Sequence, residues 1–303
     1  MLEKFRQEAK TAFPDLEILE KEPMKNHITF RVGGPADLYV CPAAEQLPGL
    51  LALAKENDVP VTIIGNGSNL LVSDRGIRGL VAEMGKGNQE LRISGNRIHA
   101  GAGALLSKTA ALAAEHGLGG MEFAAGIPGS IGGAVVMNAG AYGGEMKDIL
   151  VSAEVLTPAG ELLTLSKDEL ELSYRHSCIP EHDYIVLGAT IELAPKPEEE
   201  IRAVMADLRN RRVEKQPLEY PSAGSTFKRP QGYFAGKLIQ DAGLRGYRVG
   251  DAQVSEKHCG FVINRGNATA AEILQLIEDV QAKVFEEFGV RMETEVRMLG
   301  EFE

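Results

Sequence analysis

Gly119–Gly144 reads GGMEFAAGIPGSIGGAVVMNAGAYGG. Nine of its twenty-six residues are glycine, Glu122 is its single charge, and most of the rest is small or apolar. Glycine has no Cβ, so it concentrates where backbone turns sharply or approaches another group closely. Flexible linkers pair glycine with serine or charge. Here glycine is paired with Ile, Val, Met and Phe, the composition of a buried segment. Buried backbone needs partners for its N–H groups. Two readings follow: bare backbone held against a phosphate or a flavin ring, or a tightly packed sheet corner. The stretch alone does not separate them.

Upstream, Ile63–Asp74 reads IIGNGSNLLVSD. Val61–Ile64 is a short apolar, β-branched run and predicts a buried strand. Gly65, Asn66, Gly67, Ser68 and Asn69 then predict a tight loop whose small residues can offer consecutive N–H groups to a diphosphate. A plain strand–turn is the alternative. The dinucleotide fingerprint GxGxxG fails, because Leu70 stands where its third glycine belongs. It fails again at Gly101–Gly103, where Leu106 stands, and the chain has no GxxxxGK[ST].

Taken together, Asn26–Asp37 (NHITFRVGGPAD), Ile64–Asp74 (IGNGSNLLVSD) and Ala124–Gly143 (AAGIPGSIGGAVVMNAGAYG) resemble the UDP-N-acetylenolpyruvoylglucosamine reductase (MurB) family, over nearly the whole chain. The resemblance implies an α+β fold: a two-lobed FAD-binding domain of the vanillyl-alcohol-oxidase type plus a C-terminal α+β substrate domain. It implies lobe one at residues 1–88, completed by a terminal strand at 291–303, lobe two at 89–197, and the substrate domain at 198–290. It implies noncovalent FAD on Gly65, Asn66, Gly67, Ser68 and Asn69, and on Gly126, Ile127, Pro128, Gly129, Ser130, Gly133, Asn138 and Gly140. NADPH is the implied reductant. The implied reaction turns UDP-N-acetylglucosamine-enolpyruvate into UDP-N-acetylmuramate. That oxidoreductase step belongs to peptidoglycan synthesis, hence to cell wall biogenesis, cell shape, cell division and the cell cycle.

Three stretches carry the candidate chemistry. Ser173–Ser177 (SYRHS) places Arg175 inside an otherwise apolar region. Read by itself, Arg175 is best taken as a surface arginine. The stretch resembles the family's S-Y-R motif, whose arginine binds the substrate carboxylate and stabilises its enolate. A planar guanidinium suits that role through bidentate, charge-assisted hydrogen bonds. Pro221–Pro230 (PSAGSTFKRP) reads alone as a turn-rich linker. It resembles the A-G-S-x-F-K motif, with Ser225 at the proton donor. A serine is a weak acid, but a positioned donor within hydrogen-bond reach can quench a strongly basic carbon. Met292–Arg297 (METEVR) reads alone as a solvated edge strand with Glu293, Glu295 and Arg297 on one face. The family's E-V-R motif makes Glu295 catalytic and leaves Glu293 structural.

Weaker candidates accompany these. Arg209, Arg211, Arg212 and Lys215 form a basic run that reads equally as a solvated helix face. By resemblance, Arg212 and Lys215 meet the UDP diphosphate, with Lys215 the better fit. Lys228 meets substrate or NADPH phosphate, and Tyr174 stacks on nicotinamide or substrate. Only a short segment links Arg175 to Ser225. That matches the shorter family type, which lacks the extra loop that folds over substrate.

Composition sets the outer bounds. The chain has 303 residues, a net charge of −11 and 44% hydrophobic residues. That suits a globular protein of two or three domains. The acidic balance argues against nucleic acid, whose phosphates favour basic faces. A small anionic substrate remains compatible, because local cations matter more than the total. No apolar run reaches a membrane span, and the charged start MLEKFRQEAKTAFPD lacks the apolar core of a signal peptide. The expected location is cytoplasmic, without membrane insertion. Cys41, Cys178 and Cys259 form no CxxC, so neither zinc nor a disulfide framework is expected. His258–Cys259 is read as packing within a strand.

Two other functions stay open on the residues. An FAD-dependent alcohol or sugar oxidase of the same fold family would often tether its flavin, with His27 or Cys178 as the available candidates. A non-catalytic nucleotide-binding regulator would have no need of Arg175, Ser225 and Glu295 together.

The periodicity predicts helices over Met1–Asp15, Glu45–Asn57, Leu105–His116, Glu198–Arg212 and Ala271–Phe288. In the last, Ile273, Ile277, Val280, Val284 and Phe288 make one apolar stripe, ended by Gly289. Strands are predicted at Leu38–Val40, Val61–Ile64, Gly79–Glu83, Arg92–Ala100 about a Ser94–Asn96 turn, Ile149–Thr157, Glu161–Leu165, Tyr184–Leu193 and Glu293–Leu299.

Overall fold

The structure, a computed structural model, describes residues 1–302. The chain divides into two compact units. The first holds Met1–Leu19, Leu38–Asn66 and Gly79–Arg211, and the second holds Glu20–Asp37, Gly67–Arg78 and Arg212–Glu303.

In the first unit, α1 (Leu2–Ala12) and α2 (Leu47–Glu56) turn apolar positions inward. Phe5 and Ala9, four apart, share one face of α1, and Leu47, Leu50 and Ala54 share one face of α2. They join Leu38, Val40, Leu80 and Ala82 in one buried cluster. Truncating fully buried Leu50 to alanine would cost about 2–5 kcal/mol, the removed transfer energy plus a cavity. Strands Ile18–Pro23, Pro35–Val40, Ile77–Glu83 and Val61–Ile64 follow that order in a four-stranded sheet, of which residues 20–23, 35–37 and 77–78 are counted in the second unit. The last two are parallel, with Val61 opposite Leu80 and Ile64 opposite Glu83. The predicted β-α-β unit therefore has a later strand, Ile77–Glu83, set between its two strands.

A five-stranded sheet also lies in this unit, in the order Leu162–Ser166, Leu150–Leu156, Ile185–Glu192, Arg97–Gly101, Leu91–Ser94. All its pairs are antiparallel. The hairpin turn at Ser94–Asn96 forms as predicted, with Gly95 at φ +62°. Packed with the sheet are α3 (Leu106–Glu115) and α4 (Ile131–Met137), through Leu106, Ala110, Ala113, Ile131, Ala134 and Val135. The short α5 (Met146–Ile149) and the long α6 (Glu198–Lys215) complete the helices that begin here.

In the second unit, α7 (Ala235–Asp241) and α8 (Ala270–Phe288) accompany a sheet of order Arg248–Val249, Ala252–Val254, Val262–Asn264. Ile273, Ile277, Val280 and Val284 of α8 are fully buried, as their spacing predicts. Phe288, expected in the same stripe, is 40% exposed in the last turn. The start of α8 is capped twice. Thr269 and Glu272 form a reciprocal capping box. The Asp74 carboxylate also accepts the N–H groups of Ala270 and Ala271, each at 2.9 Å. Gly289 ends the helix at φ +65°.

The chain's last strand is Arg297–Leu299, parallel to Leu70–Val72, with Arg297 opposite Leu70 and Leu299 opposite Val72. It is shorter than the predicted Glu293–Leu299. Residues 295–296 bend, because the N–H of Glu295 turns aside to the Thr226 carbonyl at 2.8 Å. Glu293, Glu295 and Arg297 therefore do not alternate along one strand. His258 and Cys259 also lie outside strands, in the turn before Val262–Asn264.

Candidate active site

In the first unit the two glycine-rich stretches meet. Asn66 donates its side-chain amide to the Pro128 carbonyl at 2.7 Å. A Cβ on Gly65 would stand 2.5 Å from Ser130 Oγ, so any side chain there has to turn that hydroxyl aside. Ser130 begins α4 in an extended conformation, and its side chain makes no capping bond. Its hydroxyl oxygen is buried without a partner, a costly state for a polar group. Gly126, Pro128 and Gly133 are exposed, whereas Ile127, Gly129 and Gly140 are half-buried. The segment thus presents low-relief backbone to solvent, beside a hydroxyl that lacks an acceptor or donor. A diphosphate-bearing cofactor such as FAD fits this chemistry.

Asn138 is placed differently from its neighbours. It is fully buried and caps α4 in the left-handed region at φ +41°. Its amide nitrogen donates to Glu145 Oε2 at 2.8 Å and to the Ser173 carbonyl at 3.0 Å. Its Oδ1 accepts the Lys147 N–H at 2.8 Å.

Arg175 lies on a tight turn in which Ser173 and His176 exchange both backbone hydrogen bonds, each at 3.2 Å. Tyr174 and Arg175 form its tip. Arg175 has φ +56°, a left-handed conformation that non-glycine residues adopt at a cost and that clusters at functional sites. Its guanidinium donates to the Gly140 carbonyl at 3.4 Å and lies 5.0 Å from the centre of the Tyr174 ring. Tyr174 is exposed and Arg175 half-buried. Ser177 anchors the turn by donating to the Val136 carbonyl of α4 at 2.8 Å. The Glu181 carboxylate and the Glu171 carbonyl hold His176 above the usual imidazole range.

In the second unit, Gly67 has φ +62°, and its carbonyl accepts the Thr29 N–H at 3.1 Å. A Cβ on Gly67 would meet the His27 carbonyl oxygen at 2.0 Å. Thr29 Oγ1 is, with Ser130 Oγ, the other buried side-chain oxygen without a partner among the described residues. Ser68 and Asn69 are half-buried. Asn69 donates its side-chain amide to the Glu295 carbonyl at 2.9 Å and accepts the Arg297 N–H at 3.0 Å.

The same unit brings Ser225 and Glu295 together through the residue between two motif positions. Thr226 is fully buried. Its N–H donates to the Gly260 carbonyl at 2.9 Å, its hydroxyl accepts the Val262 N–H at 3.0 Å, and its carbonyl accepts the Glu295 N–H at 2.8 Å. Ser225 itself is exposed, preceded by Gly224 at φ +74°. Phe227 bridges Thr294, and Lys228 pairs with Glu293 through both its backbone N–H, at 2.9 Å, and its ammonium, at 3.0 Å. Burial pushes His258 below the usual imidazole range, and its Nδ1 accepts the Gly260 N–H at 3.1 Å. Lys215 is exposed at the end of α6, and Arg212 is half-buried one turn earlier.

Arg175 belongs to the first unit, and Ser225 and Glu295 belong to the second. Thr226, Thr29 and Ser177 were not singled out in the sequence. Each is a small hydroxyl residue inside a quoted motif, and nothing in the pattern marks it as structural or functional. Among the described residues no group of His, Cys, Asp and Glu is arranged to hold a metal ion, and no helix is long and apolar enough to cross a membrane.

Two family models match the chain. Residues 36–166 match an FAD binding domain, and residues 216–299 match the C-terminal domain of UDP-N-acetylenolpyruvoylglucosamine reductase. A UDP-N-acetylenolpyruvoylglucosamine reductase of Agathobacter rectalis is 62% identical over 95% of this chain and 96% of its own length. One from Pediococcus pentosaceus is 52% identical over 96% of this chain and 97% of its own. Among solved structures, the UDP-N-acetylenolpyruvylglucosamine reductase of Thermus caldophilus superposes with a TM-score of 0.81 at 37% identity, covering 94% of this chain and 99% of that one.

Proposed function

The chain belongs to the UDP-N-acetylenolpyruvoylglucosamine reductase family, and on that premise we propose that it reduces UDP-N-acetylglucosamine-enolpyruvate to UDP-N-acetylmuramate with NADPH. It is an FAD-containing oxidoreductase of peptidoglycan precursor synthesis, with an α+β fold that joins an FAD-binding domain to a C-terminal reductase domain. The observation that carries the assignment of roles is the bond from Glu295 N–H to Thr226 carbonyl. It registers the E-V-R glutamate beside the serine of the A-G-S-x-F-K motif.

Bound FAD supplies the hydride chemistry between NADPH and the enolpyruvyl double bond. Gly65, Asn66, Gly126–Ser130 and Gly133 of the first unit would hold it. Arg175 binds the substrate carboxylate and opposes the charge that develops on it, the kind of aimed electrostatic help worth most in a dry site. Glu295 assists at the same developing charge. Ser225 gives its proton to C2 of the enolpyruvyl group, which completes the lactyl ether. Tyr174 stacks on substrate or nicotinamide, and Arg212 and Lys215 meet the diphosphate. Lys228, already paired with Glu293, meets phosphate only by exchanging that partner. Residues 198–290 form the substrate-binding segment, and the enzyme works in the cytoplasm on small molecules.

The oxidase reading loses ground on both candidate tethers. Cys178 is buried, with its thiol donating to the Glu169 carbonyl at 3.2 Å, and His27 is bonded to Glu22 at 2.9 Å. The test is anaerobic titration. NADPH should bleach the flavin, the UDP-enolpyruvyl substrate should restore its colour, and acid should release all of it from the protein. Flavin retained in the acid pellet, or colour restored only by oxygen, would contradict the reading.

A further inference from the structure

Asn138 is a fully buried polar side chain whose three hydrogen bonds all end inside the protein. Its amide is therefore spent before any cofactor is considered. One of those bonds ends on the Ser173 carbonyl, which also accepts the His176 N–H that closes the turn carrying Arg175. The neighbouring contacts converge on the same turn. Gly140, two residues on, receives the Arg175 guanidinium, and Val136, two residues back, receives Ser177. The end of α4 is thus a platform on which this turn is seated at both flanks.

We propose that Asn138 is a positioning residue for Arg175, fixing the turn rather than touching flavin. The physical need is specific. Arg175 sits at φ +56°, a conformation a non-glycine residue keeps only where its surroundings over-determine it. A guanidinium that must meet a planar carboxylate with both nitrogens tolerates little angular error. The left-handed Asn138 backbone delivers its amide to Ser173, and Glu145 holds the other amide hydrogen, so the donor cannot swing away. The proposal rests on the reading of Arg175 as the carboxylate ligand.

The test uses the flavin-loaded enzyme and the Asn138→Gly variant, since glycine keeps the left-handed backbone while deleting the side chain. Hydrogen exchange at the His176 amide should accelerate at least about tenfold, a local loosening visible without turnover. Flavin content and bleaching by NADPH should persist. Reoxidation by the enolpyruvyl substrate should slow roughly a hundredfold, the usual effect of misplacing an aligned group by about 1 Å. In an Arg175→Ala background, Asn138→Gly should cost less than about a further twofold, because the two residues act as one unit. Should the glycine variant fail to fold, Asn138→Asp keeps the shape and the Lys147 bond, and turns a donor into a carboxylate facing Ser173 and Glu145. It should show the same pattern.

Loss of flavin with an undisturbed His176 amide would overturn the proposal and return Asn138 to the cofactor. So would a full additional penalty in the Arg175→Ala background. If Arg175→Ala alone reoxidises at the wild-type rate, the reading of Arg175 fails, and the positioning role fails with it.

Discussion

The side-chain amide of Asn69 donates to the backbone carbonyl of Glu295 at 2.9 Å, joining residues 226 positions apart in the chain. The N–H of the same glutamate donates to the Thr226 carbonyl at 2.8 Å, so both polar groups of its backbone are held. The loop expected to cradle a diphosphate therefore also sets the glutamate of the E-V-R motif. Asn69→Ala should keep its flavin and its reduction by NADPH, and should slow reoxidation by the enolpyruvyl substrate roughly tenfold, the worth of one such bond near 1.4 kcal/mol. Rapid mixing of each half-reaction checks this. Flavin loss with normal reoxidation would make Asn69 a cofactor ligand instead.

Gly65 and Gly67 should fail differently when substituted. Gly67 combines a left-handed φ of +62° with a Cβ position 2.0 Å from the His27 carbonyl oxygen. Gly67→Val strikes rigid backbone and should give little folded protein. The obstruction is the protein's own carbonyl, before any clash with an approaching diphosphate. Gly65→Ala meets only the Ser130 hydroxyl, a small group that can rotate. That variant should fold and bind FAD less tightly, read as a lower ratio of flavin to protein absorbance, with the melting temperature of the flavin-free protein unchanged.

Much of this was legible in the sequence, and the failures have physical causes. Helix α8 was plain because its apolar stripe repeats over five turns and Gly289 stops it. Helix α4 was not, because Gly132 and Gly133 are poor helix formers. It forms through tertiary bonds, including those from Ile131 and Gly132 to the carbonyls of Ala104 and Ala102. The terminal strand was over-extended, because alternation cannot show that Glu295 would turn its N–H toward Thr226. The grouping of residues 20–37 and 67–78 with the C-terminal third rests on contacts far apart in sequence, which no local pattern carries. The chemistry-bearing residues came from motif resemblance. Read alone, Arg175 and Glu295 suggested only surface charges.

His258 gives the fold a sensitivity to acid. Burial holds its folded pKa below the ordinary value near 6.5, and its Nδ1 must stay unprotonated to accept the Gly260 N–H. The unfolded chain then binds the proton more readily than the folded one, so stability rises with pH across this window. The contribution is complete above about pH 6.5 and is lost as pH falls toward the depressed folded pKa. Melting temperatures at neutral pH and near pH 5 should therefore differ more in the wild type than in His258→Gln. An identical difference in both would remove His258 as the source.

Arg175→Lys tests whether geometry, and not charge alone, matters at the carboxylate. Lysine keeps the cation and loses the bidentate fork. Turnover should fall about a hundredfold or more, the usual effect of losing an aimed electrostatic donor. Steady-state turnover with the enolpyruvyl substrate measures it, and wild-type turnover in the lysine variant would remove the role.

The central claim is that Ser225 protonates substrate carbon, and Ser225→Ala separates that step from the rest. The substitution removes an exposed hydroxyl, and the neighbouring Thr226 bonds that seat the loop are untouched. The two half-reactions should be followed separately by anaerobic rapid mixing. NADPH should bleach the flavin of the alanine variant at nearly the wild-type rate, because that half needs no proton donor to substrate carbon. Recovery of colour on adding UDP-N-acetylglucosamine-enolpyruvate should slow by about 10²–10⁴-fold, the usual worth of a positioned general acid. Ser225→Cys should recover part of that loss, since a thiol also donates. Slow bleaching by NADPH with normal recovery of colour would contradict the account and make Ser225 a nicotinamide-site residue.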